Sequence, residues 1–164
     1  MEFPRAPLMS EPHRYRASLV RFSLFFAIFL IIIGVIVVFK NLLIAPPYAV
    51  TAYLMVYNRG SRYAQPRSIV AAYLVVIASS AALEFVLGVT VLSLTLNVAL
   101  VSLFISFTPF THPPALALTI FSYLVRDSPS FVLTSLVVLL IVVVVDIVFG
   151  RVGPVRRLLD SNVA

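Results

Sequence analysis

The chain has 164 residues, of which 62% are hydrophobic and 11% are charged, and its mean hydropathy is +1.11. Soluble domains are about half apolar and about a quarter charged, so this composition excludes an ordinary soluble domain and indicates an integral membrane protein. The net charge of +6 is concentrated in short polar segments between long apolar runs. Such a pattern is typical of membrane topology signals rather than of nucleic-acid binding. The absence of cysteine excludes disulfides and thiolate metal sites.

The first 17 residues are polar, basic and rich in proline, and no small-residue cleavage site follows the first apolar run. We therefore predict a flexible cytoplasmic arm at 1–17 rather than a signal peptide. The run from Phe22 to Phe39 then carries no charge and is flanked by Arg21 and Lys40. As a helix it would extend about 27 Å, close to the ~30 Å hydrocarbon core, so it predicts the first full transmembrane helix.

The next apolar segment, Leu42–Tyr57, is short and contains the dipeptide Pro46-Pro47. Proline is favoured in the first turn of a helix and disfavoured inside one. We therefore predict an extended stretch over Leu43–Ala45, followed by a helix of about three turns that begins near Pro46. The polar loop Asn58–Arg67 that follows contains three arginines and no acidic residue.

The apolar stretch from Ile69 to Phe107 is nearly twice the length that one transmembrane helix requires. Its most polar part, Ser79–Gly88, includes Glu84, so we predict a break there and two full helices over about 68–85 and 88–108. We interpret Glu84 as a turn residue at the level of the lipid headgroups rather than as a functional acid.

Prolines then interrupt the pattern at Pro109 and at His112-Pro113-Pro114. The residues Ala115–Val125 predict a second short helix, and Phe131–Phe149 predicts a last full span. The final span contains one charged residue, Asp146. An acid inside a membrane usually faces the bundle interior and has a partner, although Asp146 is also close enough to the helix end to reach the interface beside Arg151.

Four full spans and two short ones follow each other in the order full, short, full, and this order occurs twice. A shift of 67 residues places Pro113-Pro114 on Pro46-Pro47, Arg126 on Arg59 and Ser128 on Ser61. Paired interrupted segments in two halves are typical of transporters built from inverted repeats. We predict an all-α membrane domain at 18–150 that forms an inverted 3+3 repeat, with halves at 18–86 and 87–150, and a basic cytoplasmic tail at 151–164. The alternative is that two apolar halves resemble each other by composition alone.

Orientation follows from the positive-inside rule. If both short helices cross the membrane, the N-terminus, the three-arginine loop and the basic tail all lie on the cytoplasmic side of the cell membrane. If the short helices enter and return on the same side, the three-arginine loop lies outside. Six crossings with both termini cytoplasmic therefore fit the charge distribution better.

The sequence contains no catalytic constellation, so we expect a protein that is not an enzyme and that needs no cofactor or metal. The two Pro-Pro helix starts are the most informative features. A helix N-terminus buried in a membrane presents unpaired N–H groups and a partial positive charge, which suits an anion. We predict a substrate site near the midplane between Pro46-Pro47 and Pro113-Pro114. The alternative is that these prolines only kink helices whose carbonyl groups are otherwise satisfied.

His112 directly precedes the second start, where it could donate a hydrogen bond to an anion or relay a proton, or could simply cap the helix, with Thr111 as a competing cap. Ser93, Asn97, Ser102 and Ser106 on the third full span are more typical of helix packing than of a pathway lining. The arginines of the three-arginine loop act as topology signals, and one of them could also attract anions to a vestibule.

The stretch Thr111-His112-Pro113-Pro114-Ala115 contains the tripeptide that names the HPP family of small membrane proteins. Ala45-Pro46-Pro47, followed by Ala64-Gln65-Pro66-Arg67, is similar to the other signature of that family, in which Gly-Ala-Pro leads to Gln-Pro-Arg-Asn. The resemblance extends over roughly 20–150. It implies an integral membrane protein, linked in some members to nitrite transport, and it directs attention to Pro46, Gln65, Arg67, His112, Pro113 and Pro114.

This chain departs from the family pattern at three places. Ser68 replaces the asparagine after Gln-Pro-Arg, Ala71-Ala72-Tyr73 replaces a Gly-Gly-His, and Leu116 replaces the glycine after His-Pro-Pro-Ala. These changes lie close to the predicted pathway, so the resemblance implies the fold more strongly than the substrate.

Our first hypothesis is a carrier or channel for a small monovalent inorganic anion, with nitrite and nitrate as leading candidates. The anion would lie between the two helix starts, assisted by His112 and attracted by Arg67, with Gln65 nearby and Asp146 in a possible coupling role. The alternative is a non-transporting membrane subunit, scaffold or sensor, which would have well-packed proline turns. In either case we expect a homo-oligomer in the lipid bilayer.

Overall fold

The computed structural model describes residues 11–125 and 127–153, with side chains from residue 15 onward, and this part of the chain folds entirely into helices and connections. The six α-helices are α1 (Glu11–Val38), α2 (Ala45–Tyr57), α3 (Pro66–Leu87), α4 (Val91–Phe107), α5 (Pro114–Val125) and α6 (Ser128–Arg151). Two 3₁₀ turns, Leu42–Ile44 and Arg62–Ala64, lie in the connections before and after α2. The predicted all-helical architecture is confirmed.

Three helices in the described part of the chain are long and apolar enough to cross a membrane, namely Tyr15–Val38 within α1, α3 and α6. The helix predicted as the remaining full span is α4, which has 17 residues and extends about 25 Å. Helices α2 and α5, with 13 and 12 residues, are shorter still. A multi-pass membrane architecture is therefore supported, whereas four full spans remain a prediction.

The break predicted inside the long apolar stretch is confirmed. Helix α3 ends at Leu87, and Gly88 has a φ of +67°, a left-handed conformation that residues with a Cβ rarely adopt. Helix α4 begins with a reciprocal cap in which the Thr90 side chain accepts a hydrogen bond from the Ser93 N–H and the Ser93 hydroxyl oxygen accepts one from the Thr90 N–H. This tight turn reverses the chain within three residues.

The extended stretch predicted before α2 is wrong. The chain forms a 3₁₀ turn there because the Ile44 N–H donates to the Asn41 carbonyl at 3.1 Å and the Ala45 N–H donates to the Leu42 carbonyl. Buried backbone groups need partners within the protein, and a 3₁₀ turn supplies them where an extended strand would not. Helix α1 begins at Glu11, so 11–17 of the predicted flexible arm are helical. The rest of that arm, and the predicted tail beyond 153, lie outside the described residues.

Contacts between helix ends show that successive helices alternate in direction. The Asn41 side-chain amide, after α1, donates to the Ser130 and Thr134 hydroxyls at the start of α6, at 2.9 and 2.7 Å. At the other end of α6, Arg59 in the α2–α3 connection pairs with Asp146 at 2.8 Å. The α1–α2 and α2–α3 connections therefore lie at opposite ends of the bundle.

We call the end that carries Arg59, Arg62, Arg67 and Arg151 the arginine end. The α4–α5 connection lies there as well, since His112 Nδ1 is 2.7 Å from the Tyr63 carbonyl oxygen. The α3–α4 turn lies at the opposite end, where the Ser128 hydroxyl donates to Glu84 Oε2 at 2.6 Å.

Small polar side chains hold the middle of the bundle together, as the sequence predicts for Asn97. Ser80 on α3 accepts hydrogen bonds from the Asn97 amide on α4 and from the Ser122 hydroxyl on α5, each at 2.9 Å. All three side chains are buried among apolar core residues such as Val76 and Leu118. In an apolar environment such interhelical hydrogen bonds fix the register of the helices.

The two short helices bury equivalent faces. The buried residues of α2 are Pro47, Tyr48, Thr51, Ala52, Met55 and Val56. Adding 67 to each number gives the buried residues of α5, which are Pro114, Ala115, Leu118, Thr119, Ser122 and Tyr123. In both pairs of prolines the first is exposed and the second is buried.

This agreement supports the inverted repeat, which remains a prediction because α3 and α6 do not begin at the same spacing. The predicted match at Arg126 lies outside the described residues.

A cysteine-labelling experiment tests the alternating arrangement in a bilayer. The chain has no native cysteine, so Gly60→Cys at the arginine end and Val89→Cys at the opposite end each introduce a single thiol. Both positions are exposed. We expect a membrane-impermeant maleimide added to intact cells to label Val89→Cys and to label Gly60→Cys only after permeabilisation. Labelling of both positions in intact cells, or of neither before permeabilisation, would contradict the alternating arrangement.

Candidate functional site

The two Pro-Pro starts expose few free N–H groups. Proline has no N–H, and the Ala45 N–H that precedes the first pair is bonded to the Leu42 carbonyl. After the second pair, the Ala115 N–H donates to the His112 carbonyl and the Leu116 N–H donates to the Pro113 carbonyl, both at 3.0 Å. These starts therefore have less capacity to bind an anion by backbone N–H groups than an ordinary helix N-terminus has.

Residues at and near the two helix starts do meet inside the bundle, where three side chains and one carbonyl group contact each other. His112 is fully buried, and its Nε2 lies 3.0 Å from the Thr51 hydroxyl. That hydroxyl lies 3.0 Å from the Pro47 carbonyl oxygen and also contacts the Tyr73 hydroxyl. The Tyr73 hydroxyl lies 3.2 Å from the same Pro47 oxygen. We call Pro47, Thr51, Tyr73 and His112 the His112 cluster; it joins α2, α3 and the α4–α5 connection.

Aromatic rings enclose this cluster. The Tyr73 ring contacts the His112 ring edge to face, with centroids 5.0 Å apart, and the Tyr48 ring contacts Tyr73 in the same way at 5.0 Å. Tyr48, Thr51, Tyr73 and His112 have no exposed surface. The cluster is therefore a fully buried group of polar side chains that packs against the Tyr48 ring.

The hydrogen bonds define the tautomer of His112. A carbonyl oxygen can only accept, so the Nδ1 that contacts the Tyr63 carbonyl at 2.7 Å carries a hydrogen. In the neutral ring Nε2 is then an acceptor, and it faces the Thr51 hydroxyl. Burial lowers the pKa of His112 to about 4, and the hydrogen bond to the Tyr63 carbonyl acts in the opposite direction. The ring is accordingly neutral at pH 7.

An open cavity of about 650 Å³ lies at the arginine end between the α2–α3 and α4–α5 connections, and we call it the vestibule. Its volume corresponds to roughly twenty water molecules at ~30 Å³ each, so it admits a hydrated inorganic anion. Thr111, which lines it, directly precedes His112. The full lining consists of Arg62, Gln65, Ile105, Ser106, Thr108, Pro109 and Thr111.

Arg62 is the cation of the vestibule. Its guanidinium lies over the Tyr63 ring at 5.1 Å from the centroid and donates to the Tyr63 hydroxyl at 3.2 Å. No carboxylate pairs with it within the described ranges, whereas Arg59 is occupied by Asp146. Arg62 thus presents a positive charge that no described carboxylate neutralises.

The sequence-predicted site residues divide into two groups. His112, Pro47, Pro114 and Gln65 lie in or next to the cluster and the vestibule, with Gln65 on the vestibule lining. Pro46, Pro113 and Arg67 are exposed, and Arg67 in the first turn of α3 is not part of that lining. Of Arg62 and Arg67, therefore, only Arg62 lines the vestibule.

Asp146 has the partner that an acid within a helix bundle requires. It pairs with Arg59, whose guanidinium also lies 5.6 Å from the centroid of the Phe149 ring. This pair ties the α2–α3 connection to α6 and does not involve Arg151. The role of Asp146 in coupling transport to an ion stays a prediction.

Glu84 lies far from the vestibule, in the last turn of α3. It lines a largely apolar groove of about 710 Å³ at the opposite end, with Phe85 and Leu133 on the exposed surface nearby. One carboxylate oxygen accepts from Ser128 and the other has no partner in the described part of the chain.

Sequence reasoning missed Thr51 and Tyr73 as site residues. Tyr73 carried a signal, because it stands where the resemblance to the HPP family leads one to expect a histidine. Thr51 carried none, since a threonine on a short apolar helix is an ordinary residue until its hydroxyl is placed opposite His112. For Arg62, the sequence predicted only that one arginine of the three-arginine loop could attract anions, without distinguishing which one.

Apolar helices that alternate in direction, with buried polar ties between them, define the class of a multi-pass α-helical membrane protein. A comparison with protein families agrees with this class: the family described as HPP, transmembrane region, matches residues 10–158. Because this match covers most of the chain, the protein belongs to the HPP family. No curated protein and no solved structure matches the chain.

A pH titration of stability tests the buried neutral His112. Its pKa in the folded protein is lower than in the unfolded chain, so the unfolded state binds more protons between about pH 4 and 6.5. Stability should therefore be complete above pH 6.5 and fall as the pH decreases. We expect a loss of about 2 kcal/mol between pH 7 and pH 5, measured by thermal unfolding of the purified protein.

His112→Gln is the matched variant, because it removes the titrating ring and keeps a hydrogen-bonding side chain. We expect a less stable protein whose unfolding temperature changes less over the same pH range. Equal pH dependence of the two proteins would show that His112 is not buried as a neutral ring.

Proposed function

We propose that this protein transports a small monovalent anion across the membrane, with nitrite and nitrate as the leading candidates. The observation that carries the proposal is the vestibule, a cavity of about 650 Å³ that is lined by Arg62 and by Thr111, the residue before the buried His112. No carboxylate of the described residues pairs with this arginine. Membership of the HPP family supports a membrane role, and the family resemblance of the sequence motifs supports nitrite as a candidate.

The electrostatics of the arginine end favour anions. Arg62 and Arg67 are exposed there, and Asp146 near the same end is paired with Arg59. A cleft lined by a single sign of charge and walled by low-dielectric protein raises the local concentration of counter-ions. Hydroxyl groups of Ser106, Thr108 and Thr111 add uncharged hydrogen-bond donors to the lining.

The arginine end is proposed to be cytoplasmic, since short basic loops are retained on that side. Both ends of the described chain then face the cytoplasm of the cell. Transport would proceed by movement of one half of the inverted repeat against the other around the cluster. The 12- and 17-residue lengths of α5 and α4 leave helix ends within the bilayer, which favours a homo-oligomer that shields them from lipid.

A second candidate is a non-transporting membrane subunit, scaffold or sensor. One observation favours it: the proline turns are closely packed, with Pro47 and Pro114 buried and the nearby N–H groups paired within the turns. In that case the His112 cluster would only hold the helices together, and the vestibule would be a surface recess.

An uptake assay distinguishes the two candidates. The purified protein is reconstituted into liposomes, and uptake of nitrite, nitrate, formate and chloride is measured side by side. We expect saturable uptake of nitrite or nitrate and a reduction of several-fold in Arg62→Gln, because the variant removes the vestibule charge. Arg151→Gln is the matched control, since it removes one exposed charge at the same end but outside the vestibule lining.

Absence of uptake for all four anions, from folded protein in sealed vesicles, would contradict the transporter and support the second candidate. An equal loss in Arg62→Gln and Arg151→Gln would leave transport intact as a function but reject Arg62 as the residue that attracts the anion.

A further inference from the structure

The Thr51 hydroxyl has more neighbours than it has hydrogens. It lies within hydrogen-bond distance of the Pro47 carbonyl oxygen, of His112 Nε2 and of the Tyr73 hydroxyl. A hydroxyl group donates one hydrogen and accepts up to two. The direction in which Thr51 donates therefore depends on whether His112 Nε2 carries a proton.

With neutral His112, one consistent arrangement runs in a single direction. The Tyr73 hydroxyl donates to Thr51, and Thr51 donates to His112 Nε2. His112 Nδ1–H donates to the Tyr63 carbonyl. Every side-chain donor of the cluster then has an acceptor. The Pro47 carbonyl oxygen accepts only the backbone hydrogen bond that any carbonyl inside a helix accepts.

With protonated His112, a second arrangement is equally complete. The new Nε2–H donates to the Thr51 oxygen, which still accepts from Tyr73, and Thr51 turns its own hydrogen to the Pro47 carbonyl at 3.0 Å. Only one hydroxyl hydrogen rotates, and no heavy atom needs to move. Because neither state leaves a buried donor without a partner, the usual penalty for an unsatisfied polar group is absent from both.

What opposes protonation is therefore the burial of a charge. The titratable groups that face His112 are Tyr73 on α3 and, behind it, Tyr48 on α2, while Tyr63 contributes its carbonyl. The nearest charged side chain on the vestibule is Arg62, which is itself positive. No carboxylate contacts the ring within the described residues. A buried charge needs a partner, and none of the described side chains around the ring supplies one of opposite sign, whereas an anion in the vestibule would.

We propose that His112 and Thr51 form a proton-binding site that is occupied together with the anion, so that the protein carries a proton and a monovalent anion in the same direction. The inference rests on the proposed transport function and names its coupling ion. The proton comes from water on one side, binds Nε2 while the anion occupies the adjacent vestibule, and returns to water on the other side. Nδ1–H remains bonded to Tyr63 throughout, and no covalent bond other than N–H forms or breaks.

Thermodynamic linkage makes this coupling measurable without transport. If the anion favours the protonated ring, it raises the pKa of His112, and the proton raises the affinity for the anion by the same factor. The chain contains two histidines, so His13→Gln leaves a protein with His112 as the single imidazole. Nitrogen-15 NMR of that protein in lipid nanodiscs reports both its tautomer and its pKa.

The titration is performed in sodium nitrate and in sodium gluconate at equal ionic strength. Nitrate is the anion of a strong acid and brings no proton of its own, and gluconate is a bulky control. We expect the Nδ1–H tautomer in the neutral state. We also expect the pKa of His112 to be at least about one unit higher in nitrate than in gluconate, which corresponds to a tenfold coupling.

Thr51→Ser should keep this shift, and Thr51→Val should abolish it. The same pKa in nitrate and gluconate would overturn the inference, and so would an unchanged shift in Thr51→Val.

A flux measurement separates this inference from the function on which it rests. Liposomes containing a trapped pH indicator receive an inward nitrate gradient, with the membrane potential clamped by potassium and valinomycin. Proton–anion symport predicts acidification of the lumen that accompanies nitrate uptake. Nitrate uptake without acidification contradicts the coupling and leaves anion transport standing. No nitrate uptake contradicts nitrate transport, and the NMR titration then decides on the proton site by itself.

Discussion

The structure depends on the requirement that polar groups within a lipid bilayer find partners inside the protein. An unsatisfied polar group there costs several kcal/mol, because no water can replace the missing hydrogen bond. Three sets of polar contacts between residues that are distant along the chain meet this requirement. Asn41 bonds to the start of α6, Arg59 pairs with Asp146, and His112 bonds to Tyr63 and Thr51. Each tie joins a connection between helices to a distant element, and together they hold the alternating bundle in register.

The prolines have a different role in this structure from the one that their position in the sequence suggests. They begin α2 and α5 without needing N–H partners, and so they reduce the donors at both starts rather than present them. The chemistry of the site then falls to side chains that the turns bring together. Pro47 supplies a carbonyl and the turn before Pro113 supplies His112, and the Thr51 hydroxyl links the two.

Apolar runs, charge and proline spacing predicted the helices of this protein well. The break at Gly88 and the two short helices were recognised because chain length and turn residues leave few alternatives. The 3₁₀ turn before α2 was missed. Local propensity does not reveal that the backbone of this segment forms hydrogen bonds with itself once it packs against the bundle. His112 was recognised from the sequence, but its partners Thr51 and Tyr73 come from helices that are distant along the chain. Pairing of that kind depends on tertiary packing and leaves no periodic pattern in the sequence.

The most direct test of this account is a double-mutant cycle between Thr51 and His112. The free energy of unfolding is measured for the wild type, Thr51→Val, His112→Phe and the double variant in the same detergent. If the two side chains stabilise the bundle through their mutual hydrogen bond, the double variant will lose less than the sum of the single losses, with a coupling energy of about 1 kcal/mol or more. Additive losses, within about 0.5 kcal/mol, would contradict the claim that this contact joins α2 to the α4–α5 connection.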